Sequence, residues 1–155
     1  MTGTVAARLK DLGIDLPPAP APAANYVPFV AVGNLLFVSG QLPMVAGEIR
    51  YKGRLGADLG IEEGYQAARL CAINLIAQAA AACAGDLDRV RRVVKLAAFV
   101  AGTADFFDQP KVVNGASDLL AQVFGEAGRH ARFAVGAPSL PLNAAVEIDG
   151  VFEIA

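Results

Sequence analysis

Apolar positions in the stretch from Tyr26 to Pro43, YVPFVAVGNLLFVSGQLP, alternate at Val30 and Val32 and then run together as Leu35-Leu36-Phe37-Val38. This predicts two strands of a hairpin turned at Gly33-Asn34, a glycine-first pair suited to a tight turn. The second strand is apolar on both faces, which predicts a place inside a sheet covered on both sides. It ends in Ser39-Gly40-Gln41, a small polar triplet that is either a rigidly held binding element or a plain bulge.

Upstream, Val5, Leu9 and Leu12 recur at helical spacing and Gly13 supplies a stop, so a short amphipathic arm is expected there. The proline- and alanine-rich LPPAPAPAANY should run extended, as a spacer carrying Tyr26 into the first strand. Arm and spacer occupy residues 1–24 of what reads as one domain, 1–155. Val45 to Leu55, with Gly47, Gly53 and several charges, predicts a weak strand or a long loop.

From Ile61 to Ala84 no proline intervenes, and apolar groups repeat at Ala68, Cys71 or Ala72, Leu75, Ala79 and Ala82. That is a long helix with one small-residue face, closed by Gly85 at the C′ position. Val90 to Val100 reads as a buried strand carrying Val93, Val94, Leu96 and Phe99. A second helix begins near Pro110, places Val112, Ala116, Leu119 or Leu120, and Val123 on one side, and ends at Gly125. Strands from Ala131 to Val135 and from Ala144 to Ile154 flank the PSLPLN loop. The order predicts a two-layer α+β domain, a mixed sheet with two helices on one face, whose other face needs cover from outside a single copy.

Composition sharpens that last point. Of the 155 residues, 55% are hydrophobic, yet no apolar run approaches a membrane span, which takes roughly 18 to 20 residues. The surplus is therefore assigned to a buried oligomer interface rather than to lipid. The start of the chain lacks a basic segment, apolar core and small-residue cleavage site, so a cytoplasmic protein is expected. Cys71 and Cys83 sit on one predicted helix about 18 Å apart along its axis. They cannot bridge each other within that helix, and two lone thiols agree with a reducing compartment. His130 is the one histidine and no Cys/His cluster accompanies it, so no metal is expected.

The net charge of −2 and pI near 5.3 argue against a nucleic-acid surface. The basic cluster Arg89, Arg91, Arg92 and Lys95 reads as a solvated strand end, with Arg91 and Lys95 on one side and Arg92 on the other.

Candidate chemistry is sparse. Arg132, inside the apolar HARFAVGA, is either an edge-strand residue with its guanidinium in water or a receptor for a carboxylate. Glu147 in AAVEIDG shares a strand face with Asp149, and that face is either solvated or functional. No G-x-S-x-G elbow surrounds Ser39, and nothing local pairs His130 with a nucleophile, so a serine-hydrolase triad lacks support. Asn114, beside Gly115 in mid-helix, is a functional amide or a local kink.

The segments YVPFVAVGNLLFVSGQLP, VVKLAAFV, FFDQPKVVNGASDLLAQVFG and ARFAVGAPSLPLNAAVEI, collinear from about Leu16 onward, resemble the RidA/YjgF family of small trimeric reactive-intermediate deaminases. The combination of SGQ-x-P, an arginine before the L-P loop and a glutamate after it is the specific part. The longer N-terminal arm and the L-P-P-x-P spacer look like a distinct branch. The resemblance implies a trimeric chorismate-mutase-like fold around a threefold axis, a ligand cleft between neighbouring subunits, and no cofactor. It implies hydrolysis of 2-imino acids or their enamine tautomers to 2-oxo acids and ammonia. By motif position, Arg132 would hold the substrate carboxylate and Glu147 would accompany the attacking water, while Tyr26, Ser39, Gly40 and Asn114 would line the cleft.

The chain departs from that pattern at Phe133 and Ala134, where many deaminases carry a serine and then, in some, a cysteine. It departs again at Ser117, where an aromatic residue is often found. These changes leave substrate choice more open than fold. Two other readings stand beside the deaminase: a non-catalytic module that binds small carboxylates or presents a trimer surface, and an endoribonuclease, a name attached to part of the family that the acidic pI supports little.

Overall fold

The glycine-first turn forms as the pattern predicts. In the computed structural model, which describes residues 3–155, Gly33 has φ 60° and joins β1 (Phe29–Val32) to β2 (Leu35–Gln41). The polar triplet at the end of β2 is a bulge, since the pairing register shifts between Val38 and Gln41. The weak segment that follows holds a small hairpin of β3 (Met44–Val45) and β4 (Glu48–Ile49).

Helix α2 (Ile61–Ala82) starts where Gly60 N–H donates to Glu63 Oε2 at 2.8 Å, half of a capping box. It ends sooner than the sequence suggests. Gly85 N–H donates to Ala80 O at 2.8 Å and Ala84 N–H to Ala81 O at 3.3 Å, the paired bonds of a Schellman turn. The left-handed C′ residue is thus Ala84, with φ 54°, and Gly85 follows it.

The remaining elements are β5 (Val90–Ala101), α3 (Gln109–Phe124), β6 (Ala131–Ala137) and β7 (Val146–Ile154). The five long strands lie in the order β1-β2-β7-β5-β6. All pairs are antiparallel except β5 with β6, which α3 connects as the crossover a parallel pair requires. Both helices cover one face. There Leu36, Leu96, Ala98, Val100, Ile148 and Phe152 are fully buried with the apolar sides of α2 and α3.

The N-terminal arm belongs to this core. In α1 (Thr4–Asp11), Val5 and Leu9 are buried in the same cluster as Phe152. The Thr4 and Val5 N–H groups each donate to the Asp88 carboxylate at 2.9 Å, and these two bonds hold its pKa below the usual range. The spacer is tied down as well, because Gln78 Nε2 donates to Pro20 O at 2.7 Å.

The expectation that β2 is covered on both sides fails within one chain. Its Phe37 is 45% exposed, and Val30, Val32, Phe99, Phe133 and Val135 are exposed beside it on the face away from the helices. Phe99 and Phe133 meet edge to face with ring centroids 5.6 Å apart. Register shifts in β5 also correct the reading of its basic end: Arg92 and Lys95 both lie opposite residues of this open face, Glu153 and Val151. Cys71 and Cys83 are buried and unbridged, and no helix among the described residues is long and apolar enough to cross a membrane.

Candidate functional site

Register decides which way Arg132 points. It lies opposite Leu96 in the parallel pair, so it shares the helix side of the sheet and meets α3 at the β6 edge. Its Nη1 donates to Ser117 Oγ at 2.9 Å, and its Nη2 donates to Asn114 Oδ1 at 3.0 Å and Pro110 O at 3.1 Å. All three acceptors are neutral. Among the described residues, Arg132 forms no ion pair. Partial burial lowers its pKa, opposed by the field of Asp118. Asp118 itself accepts from the Tyr65 hydroxyl at 2.8 Å, and that bond is the main cause of the raised Tyr65 pKa. The Asn114 amide is thus an acceptor for Arg132, while its neighbour Gly115 serves packing: a Cβ there would strike the Tyr65 carbonyl on α2.

His130 has a partner that the sequence did not disclose. Its Nδ1 lies 2.6 Å from Gly128 O and its Nε2 lies 2.9 Å from Ser117 Oγ. A carbonyl only accepts, so Nδ1 carries the proton and Nε2 of the neutral ring accepts from the serine hydroxyl. Burial is the largest cause of a lowered His130 pKa, and the nearby Arg132 charge adds to it, against the Gly128 bond. One signal was present in the sequence: Ser117 is three residues beyond Asn114, hence on the same side of α3.

On the other side of the sheet, Glu147 lies opposite Phe99 and is half-buried. Burial, and then the neighbouring Asp149, raise its pKa. Gly40 makes room for it, since a Cβ at that position would collide with the Glu147 carboxylate. Ser39 Oγ donates to Val27 O at 2.7 Å, which ties the bulge to the incoming chain. The Tyr26 hydroxyl accepts from Ala23 N–H at 3.2 Å, and Tyr26, Ser39 and Val151 line one hollow on the open face. Phe133 also faces this side, opposite Ala97, so it is not a neighbour of the guanidinium along the strand face.

The predicted residues thus fall into two groups. Arg132 and Asn114 come together beneath α3; on the other side Gly40 meets Glu147, and Tyr26 and Ser39 share a hollow on the open face. A single chain does not bring the groups to one point.

A mixed five-stranded sheet with its helices on one face is the α+β, chorismate-mutase-like class of fold. A family model described as "YjgF/chorismate mutase-like, putative endoribonuclease" matches residues 6–153, and the chain belongs to that family. It is similar to Protein TCP17 of Trypanosoma cruzi, with 54% identity over 99% of this chain and 96% of that protein. Among solved structures it is similar to Atu1372 of Agrobacterium tumefaciens, described as of unknown function, with TM-score 0.92, 54% identity and coverage of 97% and 92% of the two chains. It is also similar to a "putative endoribonuclease" of Shewanella oneidensis, with TM-score 0.94, 40% identity and coverage of 98% and 100%.

Proposed function

We propose that this protein hydrolyses reactive 2-imino acids and their enamine tautomers to 2-oxo acids and ammonia, in clefts where two copies of the chain meet. The observation that carries this reading is Arg132: a partly buried cation, fixed by three neutral acceptors, with no carboxylate of its own among the described residues. Such a group is prepared for a small organic anion, which its remaining N–H donors can take.

The separation of Arg132 from Glu147 is resolved by assembly. The β6 edge of one copy would lie against the open face of another, bringing the arginine of the first to the glutamate of the second. The exposed Phe37, Phe99 and Val135 supply the apolar surface that such a contact buries. A homotrimer is the arrangement that the family resemblance implies.

In this cleft Arg132 holds the carboxylate and so places the imine carbon. Glu147 orients a water and takes its proton as the oxygen adds to that carbon. Its raised pKa makes it a stronger proton acceptor than an ordinary carboxylate. Glu147 returns that proton to the nitrogen, the C–N bond breaks as the new hydroxyl gives its own proton to Glu147, and ammonia and the 2-oxo acid leave. The iminium is already electrophilic, so positioning supplies most of what is needed and no cofactor is called for.

The test generates 2-iminopropanoate and 2-iminobutanoate in place with an amino-acid oxidase and follows their loss. The wild type should hasten it. Arg132→Ala should cost about 2 to 5 kcal/mol, roughly 30-fold to several thousand-fold in rate. Near-normal turnover in that variant would remove the arginine from the mechanism.

A second reading, a module that binds small carboxylates without turnover, is favoured by one fact: the Arg132 network is complete without Glu147. It would be supported by tight binding of 2-oxobutanoate, lost in Arg132→Ala, from a protein that consumes no imine. The endoribonuclease in the family description is less well served here, because the net charge is −2 and the neighbouring Arg129 is ion-paired with Glu126 at 3.8 Å.

A further inference from the structure

Three polar groups around Arg132 form a constellation that imine hydrolysis does not require. Ser117 Oγ is 2.9 Å from His130 Nε2, His130 Nδ1 is 2.6 Å from Gly128 O, and Arg132 Nη1 is 2.9 Å from Ser117 Oγ. The bonds run in one direction. Gly128 O can only accept, so it fixes the tautomer in which Nε2 is a base, and that base is aimed at the serine hydroxyl. This is the arrangement of an activated nucleophile: a hydroxyl, a base in hydrogen-bond reach, and a third group orienting the base. The guanidinium is placed to favour the serine alkoxide. Ser117, His130 and Arg132 also line one open hollow with Asp118, Ala121 and Arg129, and Ser117 is only partly buried there.

We propose that Ser117 is the nucleophile of a second, acyl-transfer activity whose substrates are esters or thioesters of short acids bearing another carboxylate. The preference for an anionic acyl group rests on the reading that Arg132 takes carboxylates; the nucleophilicity of Ser117 does not. In the first step the hydroxyl proton passes to His130 Nε2 as Oγ bonds to the acyl carbon. The bond from that carbon to the leaving oxygen or sulfur breaks, and the proton goes to the leaving group. In the second step a water gives a proton to Nε2, its oxygen adds to the acyl carbon, the bond to Oγ breaks, and the proton returns to the serine. The sum is ester plus water giving acid plus alcohol, or thiol from a thioester, with no redox partner.

Burial and the Arg132 charge, which lower the His130 pKa, support a neutral base at neutral pH. The sequence departure at Ser117 becomes intelligible in these terms. An aromatic side chain at this position could neither accept from Arg132 through a serine oxygen nor offer His130 an alcohol.

The full chain is treated with a neutral alkyl fluorophosphonate and weighed intact, and the adduct is located by peptide fragmentation. One phosphonyl group on Ser117 is expected, lost in Ser117→Ala. The same preparations are then given mono-(4-nitrophenyl) succinate and, separately, neutral 4-nitrophenyl butyrate. Turnover of the succinate half-ester should exceed that of the butyrate at least tenfold. It should vanish in Ser117→Ala and fall at least 100-fold in His130→Asn, with melting curves showing both variants folded. If either variant unfolds, labelling of the wild type remains decisive.

No adduct on Ser117, or hydrolysis undiminished in a folded Ser117→Ala, would overturn the proposal. The imine assay on the same sample separates the two readings. Labelling of Ser117 without imine loss would sink the deaminase and leave the nucleophile, and imine loss without labelling would do the reverse.

Discussion

On the helix side of the sheet, Arg132 sits in a finished setting: its neighbours Asn114, Ser117 and Pro110 fix its position while leaving donors over, and His130 is oriented through Gly128. On the opposite side, Glu147 has a carboxylate burdened by partial burial and by Asp149, and lies opposite Phe99 on the face that also exposes Phe133 and Val135. One half of the candidate site is complete in a single chain. The other has the features of a surface that becomes complete on contact, where apolar area leaves water.

The largest effect should come from spoiling that second surface. Phe37→Asp would place a carboxylate where we expect an apolar interface, at a desolvation cost of several kcal/mol per chain. Sedimentation should show smaller species than the wild type, and imine turnover should fall with assembly, because Arg132 and Glu147 then no longer meet. An unchanged assembly would mean that this side of the sheet is a solvent face. Gly115→Ala attacks the finished side instead. The added Cβ would press on the Tyr65 carbonyl, where α3 crosses α2, and backbone must move to relieve it. A loss of about 3 kcal/mol in urea unfolding is expected, from overpacking alone. The assembly of whatever remains folded should be normal.

How these two sides relate was only partly legible in the sequence. Strong periodicity located both large helices, the hairpin and the strand order of the last third, since a 16-residue or 22-residue amphipathic pattern outweighs local exceptions. The faces of strands were harder. Alternation says that Arg132 and Glu147 each belong to one face, but only the register through Leu96 and Phe99 shows that the faces differ. Bulges in β5 moved Arg92 against simple alternation for the same reason. The Ser117 to His130 bond was out of reach because it spans the crossover from α3 to β6, and no local spacing marks it. Motif resemblance, by contrast, picked out residues without saying which of them one chain could gather.

A smaller effect should separate the two sides by pH. The raised pKa of Glu147 means that the folded protein keeps this proton to a higher pH than the unfolded chain does. The corresponding stability is fully present below the ordinary glutamate range, about pH 4, and is lost as pH rises through the folded value. Glu147→Gln removes the term. Its melting temperature should match the wild type under acid conditions and exceed it at neutral pH. A variant that melts below the wild type at neutral pH would show instead that the ionised carboxylate gains a contact on assembly strong enough to outweigh its burial.

The smallest effect concerns a residue remote from both sides and so serves to sharpen the contrast between them. Ala84 is exposed and holds φ 54° at the C′ position of α2, a left-handed conformation that an L side chain adopts only at a cost. Its methyl group is exposed, so little burial is forfeited when it is removed. Ala84→Gly relieves the left-handed strain, while the glycine gives the unfolded chain more freedom, and the two effects partly cancel. A net gain of about 0.5 to 1 kcal/mol is expected in urea unfolding. Assembly and imine turnover should be unchanged, because the Schellman bonds to Ala80 and Ala81 involve backbone groups that the substitution leaves in place. A gain in stability accompanied by lost turnover would mean that strain at the end of α2 is communicated to the Arg132 edge, and the division into a finished side and a waiting side would then be too simple.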